Sequence, residues 1–191
     1  MPSFNHPKLG RTLFIHVPKC GGSSVFWWLK NNGYHLDHPA TIQMPHPLRE
    51  DYEKWGDFDY KFMVVREPVD RFCSMLRYRQ EPTRGNLQDE NLDAFARDAI
   101  DKAIAKGYKE AFGSDDIWRE HIPPQVDYYS PSVEFFKFED GFEPIKTKLE
   151  LDIPIQHVNI SPGEASASHL SDETISRIKK FYRADYETFG Y

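Results

Sequence analysis

The sequence predicts an α/β fold around a mainly parallel sheet, and three features predict it. Two short runs rich in β-branched and aromatic residues, Thr12–Val17 (TLFIHV) and Tyr60–Val65 (YKFMVV), have the unbroken apolarity of strands buried on both faces. Each run stops at a turn signal and passes directly into a helical pattern. Further strand and helix patterns then alternate to the end of the chain, the order that builds a parallel sheet with crossover helices.

Taken in order, Thr12–Val17 runs into Pro18-Lys19-Cys20-Gly21-Gly22-Ser23-Ser24, after which Val25, Trp28 and Leu29 share one helical face until Asn32-Gly33. Tyr34–Asp37 is expected as a short strand and Leu48–Trp55 as a short helix. The strand Tyr60–Val65 ends at Arg66-Glu67, and a helix starts at Pro68, a position where proline is tolerated. Val69, Phe72, Cys73 and Leu76 form its apolar face, and the opposite face carries Asp70, Arg71, Ser74, Arg77 and Tyr78. Leu92, Phe95, Ala96, Ala99, Ile100 and Ala103 mark another amphipathic helix. Residues 107–132, rich in glycine, proline and aromatics, are expected to form an ordered, partly helical excursion. Ser132–Phe138 and Ile155–Val158 read as strands. Ser171 or Asp172 caps a final helix with Ile175, Ile178 and Phe181 facing inward. With no repeat, linker or low-complexity stretch, residues 1–191 are expected to form one domain.

Composition narrows the function classes. No apolar run approaches the roughly 20 residues of a membrane span, and MPSFNHPKLGR lacks the apolar core of a secretory signal, so a cytoplasmic protein is expected. Cys20 and Cys73 are too few for a disulfide framework and are expected as thiols. The net charge of −6 conceals a first half (residues 1–85) with 12 Lys+Arg against 9 Asp+Glu and a second half with 12 against 21. An acidic chain with a local basic focus suits a small anionic ligand, and no nucleic acid is expected as a partner.

Two elements carry the chemistry. In Lys19-Cys20-Gly21-Gly22-Ser23-Ser24, glycines let the backbone close on a ligand, and N–H groups at a helix start cradle phosphate-like oxygens. Lys19 adds a mobile positive charge, and Ser23 and Ser24 add hydroxyls. A Walker A loop would place its lysine after the glycines; here lysine precedes them, which disfavours a standard ATPase. In the second element, Arg66 ends a parallel strand, where α/β sheets bind ligands, and its planar fork suits phosphate. Ser74 follows two helical turns later, where its hydroxyl could reach the same anion.

HVPKCGGSS resembles the 5′-phosphosulfate loop of sulfotransferases that use 3′-phosphoadenosine 5′-phosphosulfate (PAPS). REPVDRFCS resembles their 3′-phosphate element, an arginine and a serine eight positions apart. PPQVDYY, KFEDG, HVNIS and the closing DYETFGY resemble features of the carbohydrate-type branch, so the likeness runs from about Leu13 to Tyr191. Cys20 departs from the threonine or alanine more usual there, a change tolerable in a loop that works through backbone donors. The resemblance implies a three-layer, P-loop-like fold with a central mainly parallel β-sheet flanked by helices. It implies transfer of a sulfuryl group from PAPS to a hydroxyl, less readily an amine, of a carbohydrate or similar acceptor, leaving adenosine 3′,5′-bisphosphate (PAP). The donor contacts would come from Lys19, Cys20, Gly21, Gly22, Ser23, Ser24, Arg66 and Ser74, with no metal required.

The acceptor hydroxyl must lose a proton, and a histidine between the two elements suits that role. His38 ranks first by likeness to short relatives and His46 second; His35 sits within the expected strand. His157 and Asn159 also come from a segment of family likeness. Two other readings stay open: a non-catalytic nucleotide- or glycan-binding module, and a P-loop-like small-molecule kinase, which would need Mg²⁺ and a Walker-type lysine.

Overall fold

A computed structural model describes residues 1–37, 46–83, 87–112, 117–156, 158 and 163–191. The chain divides into two compact units, Met1–Arg66 with Gln125–Asn159, and Glu67–Pro124 with Ile160–Tyr191.

The first unit is built on a four-stranded mixed sheet, mostly parallel, with the strands β1 (Ser3–His6), β2 (Gly10–Ile15), β3 (Tyr60–Val65) and β4 (Glu134–Lys137) in that spatial order. β1 pairs antiparallel with β2, while β2–β3 and β3–β4 are parallel, with Phe14 opposite Phe62 and Met63 opposite Phe135. Leu13, Phe14 and Ile15 on β2 and Phe62 to Val65 on β3 are buried on both faces, which is why both strands read as continuous apolar runs. Helix α1 (Gly22–Asn31) follows β2, and α2 (Arg49–Tyr52) precedes β3. Val25, Trp28 and Leu29 are the buried face of α1, while Trp27 stays 44% exposed.

β1 is a strand the sequence does not announce. It is held in a hairpin by His6, whose Nδ1 accepts from the N–H groups of Lys8 (3.2 Å) and Leu9 (3.1 Å). That leaves His6 Nε2 to donate to the Leu149 carbonyl at 3.1 Å. Tyr34–Asp37 is reduced from the expected strand to a single bridge between Ser3 and Asp37. Ile155 and Gln156 lie in irregular chain, and His157 and Asn159 are outside the described residues.

The second unit is helical: α3 (Pro68–Gln80), α4 (Leu92–Lys106), the short α5 (Tyr108–Ala111) and α6 (Ile117–His121), and, beyond α7 (Glu143–Lys148) of the first unit, α8 (Asp172–Phe181) and α9 (Arg183–Phe189). Its core joins Phe72 and Leu76 of α3, Ala96 and Ile100 of α4, Ile178 of α8, and Tyr182. Glu67 caps α3 by accepting from Asp70 N–H at 2.7 Å, and Ser171 caps α8 by accepting from Thr174 N–H at 3.3 Å.

Two residues on the polar face of α3 are buried. Arg71 is fully buried and Ser74 only 7% exposed. Helical periodicity places polar residues outward, but Arg71 finds partners some 50 residues away, donating from Nη2 to the carbonyls of His121 (2.7 Å) and Pro123 (2.9 Å). Tyr182 donates to the intervening Ile122 carbonyl at 2.7 Å, so two side chains hold the chain where it leaves α6. Burial raises the Tyr182 phenol above its ordinary value, with the Arg71 cation acting against that rise.

Candidate anion-binding site

The site lies in the first unit, where β2 gives way to α1. Ile15 leaves the sheet, and the chain turns through His16–Gly21 before entering the helix at Gly22. Two residues adopt left-handed backbone conformations, Lys19 at φ 66° and Gly21 at φ 77°. For Gly21 this conformation costs little, and its lack of a side chain is needed: a Cβ there would stand 2.9 Å from the Phe142 ring and 3.0 Å from Phe138. For Lys19 the same conformation costs about 1–2 kcal/mol. Its carbonyl accepts a hydrogen bond from Arg66 Nη1 at 3.2 Å, an interaction that offsets part of that strain.

Gly22 is required for a different reason. The His16 imidazole packs against its Cα so closely that a Cβ would lie 2.8 Å from His16 Cγ and nearer still to the ring edge. The backbone N–H groups of Gly22 and Ser23 belong to the first helical turn and so have no carbonyl partner within the helix. Together with the helix dipole they form a donor set for an anion. Ser24 also has partners within the protein. Its N–H bonds to Gly21 (3.0 Å), and its 4% exposed hydroxyl accepts from Val158 N–H at 3.0 Å, so it ties the loop to the chain beyond β4. Ser23 is half-buried.

Arg66, at the carboxyl end of β3, is brought directly to this loop. Besides the Lys19 carbonyl, its guanidinium lies over the Phe138 ring, 4.5 Å from the centroid. Sequence reasoning missed the group that fixes Arg66. The buried Gln125 side chain accepts from Arg66 N–H at 2.8 Å and donates back to the Arg66 carbonyl at 2.8 Å. Cys20, 1% exposed, donates its thiol to the same Gln125 oxygen at 3.3 Å. Cys20 therefore acts through its side chain as well as its backbone. The glutamine's only sequence signal is its place in PPQVDYY, since no spacing rule links it to Arg66.

His46 also belongs here. Its Nδ1 is 3.3 Å from the His16 carbonyl, and its ring meets the His16 ring edge-on with centroids 4.8 Å apart. A carbonyl can only accept, so Nδ1 carries the hydrogen and Nε2 becomes the nitrogen able to take a proton. His16 is held well below the ordinary histidine range, first by burial, then by the nearby charges of His46, the chain's amino terminus and Lys19. The segment carrying His46 is anchored by Tyr52 of α2, which donates to the Tyr128 carbonyl at 2.8 Å; burial pushes this phenol up to about 12.

The structure thus groups Lys19 to Ser24, Arg66 and His46 in one unit. Ser74 belongs to α3 in the other unit, and His38 lies outside the described residues. Among the described residues no helix is long and apolar enough to cross a membrane. No family model, curated protein or solved structure matches the chain.

Proposed function

We propose that this protein is a PAPS-dependent sulfotransferase with a P-loop-like fold, acting on a hydroxyl of a carbohydrate or similar acceptor. The observation that carries the reading is the direct bond from Arg66, at the end of one parallel strand, to the left-handed loop that follows the neighbouring strand. The two elements read as anion-binding in the sequence are neighbours there, which supports a ligand with two separate anionic ends. The pairing of Arg66 with Ser74 for the 3′-phosphate rests on their sequence spacing.

In this reading the first-turn N–H groups of Gly22 and Ser23 hold the 5′ end of the donor. Lys19 neutralises charge as the acceptor oxygen bonds to sulfur and the sulfur–oxygen bond to the leaving phosphate breaks. His46 Nε2 takes the acceptor proton, with Nδ1–H braced on the His16 carbonyl.

Calorimetry on the full chain tests the donor site. PAP should bind more tightly than AMP or ATP, and Arg66→Ala should lose about 1.5–3 kcal/mol of PAP binding, the scale of hydrogen bonds to a charged group. Equal affinity for AMP and PAP in the wild type would remove the second anion site and the reading with it.

A further inference from the structure

We infer that Gln125 is a positioning residue that sets how well the site distinguishes a bisphosphate from a monophosphate; the inference rests on the function proposed above. Arg66 is the first residue after β3. Leaving the ladder, its N–H and carbonyl need partners of their own, and buried backbone groups are costly when unpaired. One side-chain amide supplies both partners, at 2.8 Å each. Gln125 stands in for a strand and extends the hold on the chain by one residue.

The same oxygen that accepts from Arg66 N–H accepts from the Cys20 thiol, and Arg66 Nη1 reaches the carbonyl of Lys19, the residue before Cys20. These contacts close a ring from the loop, through Gln125, to the Arg66 backbone and back through the guanidinium. A ligand gripped at one end by the loop and at the other by Arg66 reads the distance between them, and that distance is fixed by this ring. A loosened Arg66 still carries its charge but loses its placement, so the loss falls on ligands that use both ends.

Three variants of the full chain separate placement from general damage. Gln125→Met keeps the length and apolar bulk and removes every hydrogen bond. Gln125→Glu keeps the acceptor for Arg66 N–H and Cys20 but cannot donate to the Arg66 carbonyl in its ionised form. Tyr52→Phe removes the phenol bond to Tyr128, three residues along the same segment, and serves as the control. Backbone amide exchange at Arg66 without ligand, and the ratio of PAP to AMP affinity, are both measured. In Gln125→Met, Arg66 exchange should rise and the ratio should fall about tenfold or more, the loss of one guanidinium–phosphate hydrogen bond through a misplaced Arg66 being of that order. Gln125→Glu should shift both in the same direction. Tyr52→Phe should lower the melting temperature and leave the ratio unchanged.

Arg66 protection and affinity ratio both unchanged in Gln125→Glu would overturn the inference. So would equal loss of PAP and AMP binding in the Gln125 variants, the mark of general damage. A wild-type chain with no preference for PAP would instead overturn the proposed function, and with it the discriminating role. Amide exchange would then still report whether Gln125 holds Arg66, so the two failures are told apart.

Discussion

Gly22→Ala is the sharpest probe of the loop, because ordinary helix energetics and the local packing predict opposite signs. Alanine is the better helix former by up to about 1 kcal/mol in a helix interior, and Gly22 opens α1 with an ordinary helical backbone. Propensity alone therefore predicts a gain. The added methyl, however, would sit 2.8 Å from His16 Cγ and closer to the ring edge, whereas ordinary contact begins near 3.4 Å. The ring would have to retreat by more than half an ångström, with His46 edge-on at 4.8 Å and Phe14 stacked at 5.9 Å restricting its path. Overpacking of this kind costs about 1–3 kcal/mol, which outweighs the propensity gain. A net loss of about 1–2 kcal/mol should lower the melting temperature by roughly 2–8 °C for a chain of this size. The assay is thermal and urea denaturation of Gly22→Ala, His16→Ala and the double variant. In the His16→Ala background the clash is gone, so Gly22→Ala should become neutral or stabilising, a reversal of sign that only contact between the two residues produces. Undiminished stability in the single variant, or equal loss in both backgrounds, would refute the packing.

Three further outcomes follow from the same geometry. On the proposed function, Lys19→Ala should lower kcat of sulfuryl transfer more than it weakens PAP binding, because first-turn N–H groups would still hold the donor; loss of affinity alone, with kcat intact, would make Lys19 a plain binding residue. His46→Ala should reduce kcat about 10²–10⁴-fold while PAP binding persists, and normal turnover there with a collapse in His38→Ala would move the base to His38. Because the folded His16 titrates below 6.5, the unfolded chain binds a proton that the folded chain refuses. Stability should therefore be full above about pH 6.5 and decline as pH falls below it, and His16→Gln should flatten the decline measured by urea midpoints.

The parts of this molecule that sequence reveals are those set by local composition. β2 and β3 are buried on both faces, so their apolarity needs no knowledge of partners, and the Gly21-Gly22 turn announces itself. β1 was hidden because four residues, SFNH, carry neither an apolar run nor clean alternation; hairpin hydrogen bonds from His6 hold it instead. The burial of Arg71 and Ser74 is not legible in the sequence, because helical periodicity counts polarity and cannot see carbonyls fifty residues on. Cys20 looked neutral by its loop context, and its thiol turned out to face Gln125, 105 positions away. Long-range polar pairing is the common thread.

That thread also explains how the loop can hold a conformation its own sequence disfavours. A left-handed lysine is a local cost, and nothing in PKCGGS repays it. The repayment comes from three directions: the Phe138 and Phe142 rings close over Gly21, His16 fills the space a Gly22 side chain would need, and Arg66 and Gln125 hold Lys19 and Cys20. His16 aside, these contacts reach the loop from distant stretches of chain, so the loop takes its shape from the folded unit. Donors fixed in advance lose little freedom on binding, so for the proposed anion site folding has already met the ordering cost. Loops of this kind tolerate change at solvent-facing atoms and resist it wherever a neighbour occupies the missing side chain, and by that criterion Gly21 and Gly22 are its least replaceable residues.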